Sequence, residues 1–193
     1  MRLVIATGNV HKMRELGAML AGHSLVPLPY WAKLPDETGR TFELNAIHKG
    51  RTVAAAAGIP AVADDSGIEV RALDSAPGVR SARYAGEHAT DEQNLNKLLD
   101  EMRGKEDRAA TYVCAIAYVE PDGKQRVFHG RCEGWLIDQP RGSGGFGYDP
   151  VFVPADRNGD ERTMAELSQE EKDEISHRAR AIRKLIEFLP PGL

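Results

Sequence analysis

The sequence predicts an α/β fold built on a mixed sheet. Strand-like and helix-like runs alternate along the chain, and a hairpin signal, Pro121-Asp122-Gly123, joins two long β-patterned runs near its middle. With 193 residues, 41% hydrophobic and 28% charged, the chain suits one domain with a sizeable core.

Each element has its own local reason. Arg2 to Thr7 is apolar and β-branched, a buried-strand pattern that Gly8-Asn9 breaks. His11 to Leu20 then places Met13, Leu16, Met19 and Leu20 at helical spacing. Leu25 to Leu28 reads as a short strand, held to a sheet edge by Pro27 and Pro29. Pro35 to Arg40 is an acidic loop. Thr41 to Ala57 is a helix stopped by Gly58-Ile59-Pro60, with Phe42 and Leu44 expected to bury its start. Ala61 to Ala63 reads as a strand tip that ends at Asp64-Asp65, and a loop with Gly67, Pro77 and Gly78 follows. A helix is expected near Asp91 to Met102, strands over Ala109 to Glu120 and Gln125 to Leu136, and a glycine-rich loop from Gly142 into a short strand at Pro154. Ser168 to Leu189 closes the chain in helix. Ser168 and Glu171 form a capping box, and Ile175, Ala179, Ile182, Ile186 and Leu189 form an apolar stripe. An unbroken helix would turn His177 away from that stripe, so a break at Ser176 is expected, placing His177 and Arg178 in a new first turn.

The bulk numbers set several function classes aside. A net charge of −4 argues against a general nucleic-acid binder, so any polyanion must be held by a local cluster of cations. Two cysteines, Cys114 and Cys132, are too few for a disulfide scaffold or a zinc cluster and read as reduced packing residues. The apolar start MRLVIATGN is too short for a signal peptide, and no run approaches a membrane span; the expected location is the cytoplasm.

Five stretches carry the chemistry. ATGNVHK (residues 6–12) is a strand–turn–helix junction, whose free N–H groups and Lys12 suit an anion; alone it is also an ordinary βα turn. On the next helix Asn45 and Lys49 are four apart and share a face, most simply a solvated one. Asp64 and Asp65 alternate across an extended strand, so one is expected to face a ligand and the other to support the backbone. A carboxylate beside a divalent ion, or one acting as a base for water, would justify the cost of burying it; an Asx turn with Ser66-Gly67 explains only one of the two. GSGGFGYDP (142–150) formally contains G-x-G-x-x-G, but no helix follows, so a dinucleotide site is rejected; Phe146 among glycines suits stacking on a flat base. Lys172, His177 and Arg178 are the remaining cationic candidates, or simply solvated residues.

Taken together, these motifs resemble the inosine/xanthosine triphosphate pyrophosphatase family. The match runs from Thr7-Gly8-Asn9 and Lys12 through Asp36-Glu37-Thr38-Gly39, Phe42, Asn45-Ala46 and Lys49. It continues with Ala63-Asp64-Asp65-Ser66-Gly67, the stretch from Ala76 to Tyr84, Gly144 to Pro150, and Ser176-His177-Arg178, in the family's order and over nearly the whole chain. The resemblance implies one two-lobed domain over residues 1–193, an elongated mixed sheet flanked by helices with a central substrate cleft, and a homodimer. It implies Mg²⁺-assisted hydrolysis of ITP, dITP and XTP to monophosphate and pyrophosphate, which cleanses the nucleotide pool. Asp65 looks like the general base and a metal ligand. Leu44 stands where many members carry an acidic residue, so Glu37 is the second metal candidate. Ser66, Lys12 and Lys172 look like substrate contacts, with Thr7, Gly8, Asn9, Val10 and His11 lining the phosphate end. Phe146, Gly147, Tyr148, Asp149, His177 and Arg178 look like the base-recognition set. Two alternatives stay open at this point: a pyrophosphatase for modified pyrimidine triphosphates, as in the related Maf-like proteins, and a non-catalytic nucleotide sensor. No nucleic-acid or membrane partner is expected.

Overall fold

The computed structural model describes residues 1–156 and 159–191. Six strands form one mixed sheet: β1 (Arg2–Ile5), β2 (Ser24–Val26), β3 (Ala61–Val70), β4 (Ala109–Val119), β5 (Gln125–Leu136) and β6 (Phe152–Pro154), in the order β2-β1-β3-β4-β5-β6. β1 pairs in parallel with both β2 and β3, and β5 pairs antiparallel with β6. The helices are α1 (Val10–Met19), α2 (Phe42–Ala57), α3 (Asp91–Glu101), α4 (Gln169–Ile175) and α5 (His177–Phe188). This is the expected class, with β2 at the sheet edge. The hairpin turn closes between β4 and β5, where Gly123 N–H donates to Glu120 O.

One strand departs from expectation in a way that bears on the site. β3 does not stop at Ala63 but runs ten residues through Asp64-Asp65-Ser66-Gly67 to Val70. The strand therefore has no end at the two aspartates. Acidic residues and glycine usually punctuate strands, but here Ile68 and Val70, both fully buried, anchor the continuation. Gly67 has a packing role: a Cβ there would lie 2.3 Å from Ser81 Oγ and 2.6 Å from Gly78 O.

The chain divides into two compact units. The first comprises residues 1–65, 114–130 and 178–193. Its core joins Leu3, Ile5, Val62, Cys114 and Ile116 from the sheet to Leu16 and Leu20 of α1 and Ala181, Ile182 and Leu185 of α5. Leu44, expected to help bury the start of α2, is instead 53% exposed, because the buried stripe of that helix runs through Phe42, Asn45, Ala46, Lys49, Gly50, Val53 and Ala54. Ile186 likewise lies outside the α5 stripe; Leu185 takes its place. The second unit comprises residues 66–113 and 131–177. Its core gathers Ile68, Leu98, Met102, Tyr112, Cys132, Leu136, Phe152 and Met164. Thr90 and Gln93 cap α3 reciprocally, and Ser168 and Glu171 do the same for α4. Both cysteines are buried free thiols, as expected of packing residues.

Candidate active site

In the first unit, α2 aims two polar side chains at β3. Asn45 and Lys49 are 2% and 5% exposed, members of the buried stripe and not of a solvated face. Asn45 Nδ2 donates to Asp65 Oδ2 at 2.8 Å, while its Oδ1 accepts from Gly39 N–H at 2.7 Å, tying the acidic loop to the strand. Lys49 Nζ bonds Glu37 Oε1 and stands 4.0 Å from Asp65 Oδ1. Glu37 and Asp65 thus meet around one buried ammonium. Sequence reasoning noted Asn45 and Lys49 but gave them no role. The available signal was their position: they interrupt an otherwise apolar stripe at i, i+3, i+4 and i+7 spacing.

Asp64, on the alternate face of β3, meets different partners. Its Oδ2 lies 3.1 Å from Lys12 Nζ and 3.5 Å from Arg178 Nε. Arg178, 3% exposed, also bonds Glu15 one turn beyond Lys12 on α1. Arg178 stands in the first turn of α5 as expected, but its guanidinium is held between two carboxylates, and Glu15 was not foreseen.

The two neighbouring aspartates are pushed in opposite directions. Burial would raise the Asp64 carboxyl, but the charges of Lys12, Arg178 and Lys49 outweigh it and hold the group well below the usual carboxylate range. Burial dominates at Asp65, and Glu37 adds to it; Lys49, Lys12 and the Asn45 bond pull back only in part, leaving the carboxyl pushed up to about 6. Lys49 is drawn down by burial and raised past that by Asp64, Asp65 and Glu37, so it stays an ammonium. Asp64 is a fixed anion that balances cations, whereas Asp65 can exchange a proton near neutrality.

The β1–α1 turn is open to solvent at Gly8, Asn9, Val10 and His11, while Thr7 is buried. Asn9 caps α1: its Oδ1 accepts the N–H groups of His11 and Lys12 at 2.9 and 3.2 Å, and Thr7 Oγ1 accepts Asn9 N–H. Two of the donors expected to be free for an anion are therefore taken by Asn9 in this state.

In the second unit, Asp149 is the hub. Its Oδ2 accepts from Lys172 Nζ at 2.8 Å and Phe146 N–H at 3.1 Å, and its Oδ1 from the Tyr112 hydroxyl at 3.0 Å. Gly145 permits this: at φ +73° it occupies the left-handed region, and a Cβ would lie 2.0 Å from Asp149 Oδ2. Lys172 is 6% exposed, so it is not a simply solvated residue, and Phe146 is half-buried. Gly147 N–H donates to Asp91 Oδ2, and the Tyr148 hydroxyl to Ser81 O. Ser66 is half-buried on β3. His177, 8% exposed, stacks parallel on Tyr112 with ring centroids 4.7 Å apart. Tyr112 was missed; nothing in its β-patterned run distinguishes it from a core residue.

A family model described as the Ham1 family matches residues 3–188. A dITP/XTP pyrophosphatase of Geobacter sulfurreducens is 47% identical over 194 residues, covering 97% of this chain and 96% of that protein. One from Symbiobacterium thermophilum is 48% identical over 193 residues, covering 98% and 95%. Among solved structures, a HAM1 protein from Coxiella burnetii superposes with a TM-score of 0.89 at 39% identity, covering 97% of this chain and 98% of that one.

Proposed function

Because the chain belongs to the Ham1 family, we propose that it hydrolyses the deaminated purine triphosphates ITP, dITP and XTP to monophosphate and pyrophosphate, with Asp65 as general base. The observation that carries the reading is the split between two adjacent aspartates, one locked as a counter-ion and one poised at about 6. Water attacks the α-phosphorus, its proton passes to Asp65, and the bond from that phosphorus to the α–β bridging oxygen breaks to release pyrophosphate. Asn45 orients the Asp65 carboxylate. Lys12 and the turn from Thr7 to His11 serve the phosphates, and in the second unit Ser66 and Lys172 are assigned to substrate contact.

The donor set suits Mg²⁺. Glu37 and Asp65 offer hard carboxylate oxygens around a spot that already holds a positive charge. Among the described residues no group of three or more His, Cys, Asp or Glu side chains could hold a metal, so the remaining ligands would be phosphate oxygens and water, the usual habit of Mg²⁺. Bound there, the ion would neutralise charge on the phosphate oxygens.

Base selection is assigned to Phe146 through Asp149, His177 and Arg178. A six-carbonyl accepts from donors such as Arg178 and His177; adenine's amino group would leave them unpaired, at about 1–3 kcal/mol each. We further propose that both units act as one nucleotide-hydrolysing domain, in a cytoplasmic homodimer. Among the described residues no helix is long and apolar enough to cross a membrane. The test is a panel of ITP, dITP, XTP, ATP, GTP and modified pyrimidine triphosphates with pyrophosphate detection, with and without Mg²⁺. Mg²⁺-dependent turnover of the first three is expected; equal turnover of ATP, or preference for a pyrimidine, would overturn the assignment.

A further inference from the structure

Tyr112 touches two of the second unit's candidate residues, His177 and Asp149. It lies on β4 and is 7% exposed. Its ring stacks on His177 at 4.7 Å with only 9° between planes, and Phe152 packs on it at 4.6 Å, tilted by 58°. Its hydroxyl donates to Asp149 Oδ1, and Asp149 Oδ2 holds both Lys172 and the Phe146 backbone. Burial, with the Asp149 charge beside it, raises the phenol well above its ordinary value, so the group stays protonated and faces the carboxylate as a donor.

We propose that Tyr112 is a positioning residue for substrate selection: its ring sets the plane of His177, and its hydroxyl fixes the carboxylate that holds Phe146 and Lys172. This rests on the assignment of those residues to the substrate. The physical basis is restricted freedom. A carboxylate accepting three donors is held in torsion, whereas one that loses the donor on Oδ1 keeps only the two on Oδ2. A stacked imidazole likewise loses rotation about its side-chain bonds, so its ring nitrogens are presented in one direction. β4 is a rigid platform, and a site built on a strand is more precise than one carried by a glycine-rich loop alone.

Two variants separate the ring from the hydroxyl. Tyr112→Phe keeps the stack and removes one donor; the KM for ITP should rise about fivefold with kcat within about twofold, the size expected for the net worth of one ordinary hydrogen bond. Tyr112→Leu removes both; KM should rise at least about tenfold further, and the ITP/ATP ratio of kcat/KM should fall by about tenfold. A purely structural tyrosine would lower the melting temperature without moving the KM–kcat split or the ratio. If the leucine variant does not fold, Tyr112→Phe decides alone. KM and ITP/ATP ratio within about twofold of wild type, in whichever variants fold, overturn the proposal. His177→Ala and Phe146→Ala isolate the underlying reading: if they leave the KM for ITP unchanged, the substrate assignment itself fails, whereas if they raise it and the Tyr112 variants do not, only the present inference falls.

Discussion

Replacing Asp65 by asparagine should stabilise the metal-free protein at neutral pH. Asp65 is 3% exposed and its carboxyl is pushed from an ordinary 3.8 up to about 6. The folded state therefore binds that proton more tightly than the unfolded chain does. Ionising Asp65 costs stability as the pH rises from about 4 to about 6, and the whole cost is present above that window. The displacement of roughly two pKa units corresponds to about 3 kcal/mol. Asparagine keeps an oxygen for Asn45 Nδ2 and has no charge to bury. Asp65→Asn should thus be up to about 3 kcal/mol more stable than wild type at pH 8, a rise in melting temperature of about 6–12 °C for a chain of this size. At pH 4, where the wild-type carboxyl is already protonated, the difference should nearly vanish. Asp64 acts with the opposite sign: its lowered value contributes stability above about pH 4 that is lost on acidification, but it is common to both proteins and cancels. Urea melts in EDTA at the two pH values measure this directly. A variant less stable than wild type at pH 8, or a gain of equal size at both pH values, would refute the electrostatic reasoning.

Lys49→Gln removes the largest charge that lowers the Asp65 carboxyl. In metal-free protein the Asp65 titration, followed by carboxyl ¹³C NMR, should move upward by about 1–3 units; an unmoved or lowered titration would contradict the placement of Lys49. Arg178→Met takes one of its cations from the fully buried Asp64 and removes the cation that bonds Glu15. Urea melts should show a loss of about 3–5 kcal/mol at pH 8 that shrinks on acidification as the carboxylates protonate. A loss independent of pH would point to packing instead of charge.

Much of the frame was legible because local rules agreed with tertiary structure. The Ser168–Glu171 capping box, the stop at Gly58 and the turn at Pro121-Asp122-Gly123 are short-range signals, and each element formed where they placed it. The break at Ser176 was legible from a conflict between the α5 stripe and His177, and α4 does end at Ile175. β3 was misread because Asp64-Asp65-Ser66-Gly67 has the composition of a turn. What sustains the strand is burial on both of its faces, a property of partners distant in sequence. The same holds for the site. The motif left open which aspartate faces the ligand, and only the family resemblance pointed to Asp65; the difference between the two depends on Asn45 and Lys49 on one face and on Lys12 and Arg178 on the other. Helical periodicity could have placed Asn45 and Lys49 in the buried stripe, had polar residues been allowed there. Glu15 and Tyr112 carried no such mark; long-range contacts alone reveal them.

Steady-state ITP hydrolysis by Asp65→Asn at pH 8 with saturating Mg²⁺ tests the account where it is most exposed. Loss of the base should lower kcat by about 10²–10⁴ with KM within a few-fold of wild type, in a protein that remains folded. Turnover within about tenfold of wild type by that folded variant would show that Asp65 does not accept the proton of the attacking water.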